Sequence, residues 1–176
     1  MRRLFWYLRY FFHQLMGDSL NVGKKPNIFP HAIFKFINGG EISIGNNCMI
    51  EDYAILSTHS GTISIGDNFA VESFTILYGG GGLKIGNNVI IASNVVIIPA
   101  NHKFDRLDIP ISHQGSKMEG IIIKDDVWIG TGCSILDGVT IGNGCIIGAG
   151  SVVNRSIPDF SVAAGVPAKI IKKRGL

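Results

Sequence analysis

His102, in the run PANHKFD, is the side chain best placed for proton transfer in this sequence. An imidazole titrates near neutrality, so a histidine can take a proton from a hydroxyl or an amine. His102 lies five residues after Ile97, which the spacing turns inward, so its ring should leave the fold near a corner. Most exposed histidines are plain surface residues. This one stands at the mouth of the longest irregular stretch, which raises its claim. Trp128, in DDVWIG, sits between the inward Val127 and Ile129, and alternation turns its indole outward. A large outward aromatic marks either subunit packing or a ligand surface. Lys169, Lys172, Lys173 and Arg174 form a basic cluster that suits phosphate groups or, equally, a solvated tail.

These residues need a scaffold, and the sequence describes one. Ile-Gly pairs recur at Ile44-Gly45, Ile65-Gly66, Ile85-Gly86, Ile129-Gly130, Ile141-Gly142 and Ile147-Gly148. Around them the apolar spacing settles to six residues, as in Ile123, Ile129, Ile135, Ile141, Ile147 and Val153. Neither an amphipathic helix nor a hairpin strand has that period. It marks a parallel β-helix, whose coils bury their core only by stacking. Ile123 to Ile141 is 18 residues, three hexapeptides, so each turn has three short faces. Pairs such as Asn46-Asn47, Asp67-Asn68, Asn87-Asn88 and Asn143-Gly144 fall at the corners, where positive φ is tolerated.

One interval breaks the rhythm. Ile85 to Ile123 is 38 residues, one turn plus 20, and the excess lies between His102 and Ile121. Loops that long inside a domain are usually functional. The chain is therefore divided into an N-terminal amphipathic segment (1–21), a β-helix domain (22–166) with an ordered flap (103–120), and a basic C-terminal tail (167–176).

The totals bound the function. With 176 residues, 46% hydrophobic and 16% charged, the chain can bury a core as one domain. A net charge of +3 without a basic, aromatic stripe argues against nucleic acid. Cys48, Cys133 and Cys145 each follow an apolar repeat position by four residues, which makes them small inward side chains. They form neither a disulfide framework nor a metal set, and free thiols suit a reducing cytoplasm. In residues 1–16, Leu4, Phe5, Leu8, Phe11, Phe12 and Leu15 mark one helical face, and Arg2, Arg3 and Arg9 add charge. The stretch is too short to span a bilayer and lacks a signal-peptide pattern. It packs on the prism or a neighbouring subunit, or lies peripherally at the inner membrane face.

Together the repeat, the long loop after His102, the segments PISHQG and DDVWIG, and the run GAGSVV…IPDFSVAAGVPAKIIK resemble the hexapeptide-repeat acyltransferases. The branch most similar includes maltose and galactoside acetyltransferases and the O-acetyltransferases of surface polysaccharide synthesis. The resemblance covers roughly residues 40 to 173. It implies a left-handed β-helix, a homotrimer, an active site between subunits, and acetyl-CoA as co-substrate without a metal. By position, His102 matches the catalytic base, Trp128 a residue lining the cleft, and Thr131 and Ala149 backbone contacts to pantetheine. Asn154, Arg155, Lys169 and Lys172 match positions that meet the nucleotide and phosphates of CoA.

Two departures concern the acceptor. Glu72 stands where the sugar acetyltransferases carry an asparagine, and their acidic acceptor-site residue falls here in the Gly79–Gly82 run. Gln114 and Glu119, in the flap, are expected to orient His102 or touch the acceptor. The resulting expectation is O-acetylation of a sugar hydroxyl in a surface glycan. N-acetylation of an amino sugar and a non-catalytic scaffold are the alternatives. Zinc chemistry of the carbonic anhydrase kind needs three converging histidines; His59, His102 and His113 are the candidates, and flap residues separate the last two.

Overall fold

Corner residues decide how this chain turns. Asn47, Asn68, Asn88 and Asp126 all sit at φ between 55° and 58°, in the left-handed region that asparagine and aspartate tolerate. Between corners, β-branched residues run straight for two to four residues. The result, in a computed structural model describing residues 12, 13 and 15–175, is a three-faced column of parallel strands.

The first face stacks Ser19–Val22, Glu41–Ile44, Thr62–Ile65, Leu83–Ile85, Ile121–Ile123 and Thr140–Ile141. The third stacks Ile33–Lys35, Ile55–Ser57, Ile76–Tyr78, Val96–Ile98, Ser134–Leu136 and Val152–Val153. The second begins with Asn27–Ile28 and rises through Met49–Ile50, Ala70–Val71, Ile90–Ile91, Trp128–Ile129 and Ile146–Ile147 to Ser161–Ala164. Along this face Ile28, Ile50, Val71, Ile91, Ile129, Ile147 and Ala163 fill one buried column. Fully burying such an aliphatic side chain is worth roughly 1.5–3 kcal/mol, so the columns supply the driving force for coiling. Cys48, Cys133 and Cys145 are buried free thiols in the same interior, and burial pushes all three pKa values up.

A polar ladder ties successive coils at the first corner. The Oδ1 atoms of Asn46, Asp67, Asn87, Asp125, Asn143 and Asp159 each accept from the backbone N–H of a residue one coil below. Neutral and charged rungs alternate, which keeps carboxylates two coils apart.

Both ends are covered. His13 packs its ring toward Phe34 and Phe36, with centroids 6.1 and 5.6 Å away, and its Nδ1 lies 2.7 Å from the Asp18 carboxylate. The expected amphipathic helix and its membrane face rest mainly on residues 1–11 and 14, outside the described residues. Among the described residues no helix is long and apolar enough to cross a membrane. At the other end the sequence set a separate tail over 167–176. Instead, Lys169–Lys173 turns back antiparallel onto Ser161–Ala164 and closes the second sheet.

Candidate active site

His102 stands at the edge between the third and first faces. The strand Val96–Ile98 delivers the chain to Pro99, and Asn101–His102 then pairs antiparallel with Ser116–Lys117. This two-residue stem closes the neck of the flap, so the imidazole is held at its base and exposed. Among the described residues nothing hydrogen-bonds the ring, which leaves both nitrogens open to a substrate.

The flap is ordered by its own residues. Gln114 donates from Nε2 to the carbonyls of Arg106 (2.7 Å) and Ile109 (3.1 Å), and its Oε1 accepts from Arg106 N–H at 3.0 Å. Its amide braces the loop through Arg106 and Ile109, so any influence on His102 runs through the flap and not through a direct hydrogen bond. Glu119 likewise pairs with Lys117 Nζ at 2.6 Å, and its own N–H donates to the Asp137 carboxylate. Beneath the stem, a Cβ at Gly81 would come within 2.2 Å of the Pro99 carbonyl oxygen. Gly81 is thus a close-approach point on which the flap's base rests, whereas a Cβ at Gly80 would meet nothing nearer than 3.8 Å.

Thr131 and Ala149 lie at a different edge, between the second and third faces. In that column the positions read Pro30, Asp52, Ser73, Ser93, Thr131 and Ala149. Thr131 Oγ1 donates to the Ser93 carbonyl at 2.7 Å. Glu72 is on the same edge, with Oε2 accepting from the Ser93 N–H at 3.1 Å. From Ala92 upward this edge carries only small side chains, which leaves backbone accessible to an extended ligand.

Trp128 faces outward from the second face, half exposed, between Ile90 and Ile146 in the neighbouring coils. It lines a groove of about 200 Å³ that Asn88, Asp126 and Arg174 complete. Arg174 reaches there by an ion pair with Asp126 at 2.8 Å and a bond to the Gly144 carbonyl at 3.1 Å. Lys173 is also engaged, donating to the Asp159 carbonyl at 2.9 Å. Lys169 and Lys172 remain exposed on the closing strand. Asn154 and Arg155 occupy an exposed turn on the His102 edge, two coils higher. Among the described residues no three His, Cys, Asp or Glu side chains converge to hold a metal.

His102, Asn154 and Arg155 therefore lie at one edge of the third face and Glu72, Thr131 and Ala149 at the other, while Trp128, Lys169 and Lys172 belong to the second sheet. Sequence reasoning did not single out Arg174's place at the Trp128 groove, nor a row of aromatic rings at the second-to-third edge. The rings recur at intervals of 22 and 21 residues (His31, Tyr53, Phe74), a signal that was available in the sequence.

Comparison with known proteins bears on both the coils and the site. The family model for the bacterial transferase hexapeptide (six repeats) matches residues 120–155. The N-acyltransferase AntD of Bacillus cereus, solved with dTDP and coenzyme A, is 34% identical, with a TM-score of 0.76 over 92% of this chain and 87% of that one. The chain belongs to the hexapeptide-repeat acyltransferases.

Another AntD structure, with dTDP-4-amino-4,6-dideoxyglucose and coenzyme A, is 32% identical over 93% of this chain and 89% of that one, with a TM-score of 0.79. A maltose O-acetyltransferase from Clostridium difficile 630 is 28% identical over 89% of this chain and 67% of that one, with a TM-score of 0.54. The galactoside O-acetyltransferase of Escherichia coli (strain K12) is 35% identical over 96 residues, which is 52% of this chain and 44% of that protein. The chain spans about a third to a half of the curated relatives it matches.

Proposed function

We propose that this chain transfers an acetyl group from acetyl-CoA to a hydroxyl of a sugar, in the synthesis of a surface polysaccharide. The observation that carries the reading is His102, exposed on a paired stem at the flap's neck, in a chain similar over nearly its whole length to CoA-bound acyltransferases. His102 takes the acceptor proton as the oxygen attacks the thioester carbonyl. The carbon–sulfur bond then breaks, and the imidazolium returns its proton to the CoA thiolate. A positioned base of this kind contributes about 10²- to 10⁴-fold. Backbone N–H groups of the coils stabilise the oxyanion.

Trp128, Thr131 and Ala149 line the path of the pantetheine arm, and Asn154, Arg155, Lys169 and Lys172 meet the nucleotide and phosphates. Because the base and the small-residue edge flank opposite sides of the third face, a complete site takes one edge from each of two copies, as in a homotrimer. Glu72 and Glu119 face the acceptor side. The enzyme works in the cytoplasm, and the aromatic and basic residues of the segment 1–16 suit contact with the inner membrane face.

A second reading is N-acylation of an amino sugar carried on a nucleotide. It is favoured by the coverage of AntD, which exceeds that of the maltose enzyme. The two are separated by incubating the chain with acetyl-CoA and a panel of free sugars, amino sugars and nucleotide sugars. Products are read by mass and by mild alkali, which removes esters and spares amides. An alkali-labile product supports O-transfer; an alkali-stable one replaces it with N-transfer. Failure to release CoA with any acceptor contradicts both.

A further inference from the structure

At the edge between the second and third faces, one corner position repeats as His31, Tyr53, Phe74, Asn94, Gly132 and Gly150. The first three rings stack. His31 and Tyr53 have centroids 5.2 Å apart and planes within 9°; Tyr53 and Phe74 are 5.3 Å apart and within 6°. The bottom ring is anchored, since the backbone N–H and Nδ1 of His31 lie 2.8 and 3.1 Å from Asp52 Oδ1.

This column runs against local preference. Tyr53 and Phe74 both sit at φ 63°, a region that bulky residues rarely enter. Higher in the column the residues are the types that tolerate it: Asn94 at φ 59°, then Gly132 and Gly150. Core burial does not account for the rings, because Tyr53 is 46% and Phe74 57% exposed. Phe160 also has a positive φ, 57°, and is 56% exposed, but its ring lies over Gly144, where an added Cβ would come within 2.6 Å of it.

Among the described residues no second ring stacks on Phe74 opposite Tyr53. Asn94 is short and exposed, a Cβ at Gly132 would meet nothing nearer than 4.0 Å, and one at Gly150 nothing within 4 Å. The stack therefore ends in an open slot. That slot belongs to the same coil as His102 and leads upward into the Thr131–Ala149 edge.

We propose that Phe74 is the floor of a stacking subsite for the planar base of a nucleotide-linked acceptor. The base continues the column as its fourth ring, and the Asn94 amide offers a donor and an acceptor to its edge. Because Phe74 is already held by Tyr53, little side-chain freedom is lost when the base arrives. The inference rests on the acyltransferase reading and holds for either a hydroxyl or an amine on the attached sugar.

The test uses the full chain and dTDP as probe, by isothermal titration, with CoA titrated separately and light scattering as a control. Saturable dTDP binding is expected, weakened roughly 5- to 100-fold in Phe74→Asn. The variant should keep its assembly state, its CoA affinity and its Tm, since asparagine suits the left-handed backbone. Absence of dTDP binding, or equal affinity in the variant, overturns the subsite. So does competition between CoA and dTDP, which would give the slot to the adenine of CoA. A changed assembly state also overturns it, by making the ring a subunit contact. Failure of the unaltered chain to bind CoA contradicts the acyltransferase reading instead, and is scored separately.

Discussion

Asp125 Oδ1 accepts from the backbone N–H of Asn87 at 2.7 Å, although 38 residues separate them in the chain. This bond spans the flap's insertion point and keeps the ladder continuous across it. Asn87 in turn accepts from the Asp67 N–H at 2.9 Å, so a neutral rung stands between two carboxylates. Asn87→Asp should place three acidic rungs in succession and lower the Tm by a few degrees at pH 7. The deficit should shrink as the medium is acidified toward the carboxylate range. Thermal unfolding of both proteins at pH 7 and pH 4 checks this; an unchanged Tm at pH 7 would show that solvent screens the column.

Acid sensitivity follows from the same ladder. The Asp67 pKa is held below its ordinary value by the backbone and then the side chain of Asn46, and that of Asp159 by the side chain and then the backbone of Asn143. A depressed carboxylate stabilises the fold above its unfolded pKa, and that contribution disappears as pH falls through the folded one. Stability should therefore decline below the unfolded aspartate value of 3.8. In Asp67→Asn the acid limb should be shallower. Urea unfolding from pH 6 to pH 2 measures both slopes, and parallel limbs would refute the assignment.

Gln114 carries the flap's internal bonding through three contacts to Arg106 and Ile109. Replacing it with alanine leaves two loop carbonyls and one N–H without this partner, and should let the flap loosen around His102. Misplacing a catalytic group by about 1 Å can cost roughly 10²-fold in rate. Gln114→Ala should therefore lower kcat by about 10- to 100-fold, leave CoA affinity unchanged, and increase proteolytic cleavage between residues 103 and 120. Wild-type kcat in an equally protease-resistant variant would remove the brace from the mechanism.

The scaffold was legible because its signal is repetitive and enforced by packing. A six-residue apolar period leaves few alternatives, and it gave the inward Ile129, Ile135 and Ile147, the buried cysteines and the outward Trp128. The path of Lys169–Lys173 was hidden, since Ile170 and Ile171 are both exposed and show no inward alternation. Gln114's role was hidden for another reason: its partners are backbone atoms of an irregular loop, where side-chain spacing carries no register. Tyr53 and Phe74 escaped notice because bulky residues at positive φ contradict local propensity, and such conflicts tend to mark functional positions.

The assignment of His102 as general base is tested most directly by acetyl transfer from acetyl-CoA in His102→Ala, beside its CoA affinity. The expected result is a fall in kcat of about 10²- to 10⁴-fold, with CoA binding retained. Transfer at the wild-type rate by a folded His102→Ala chain would contradict the account.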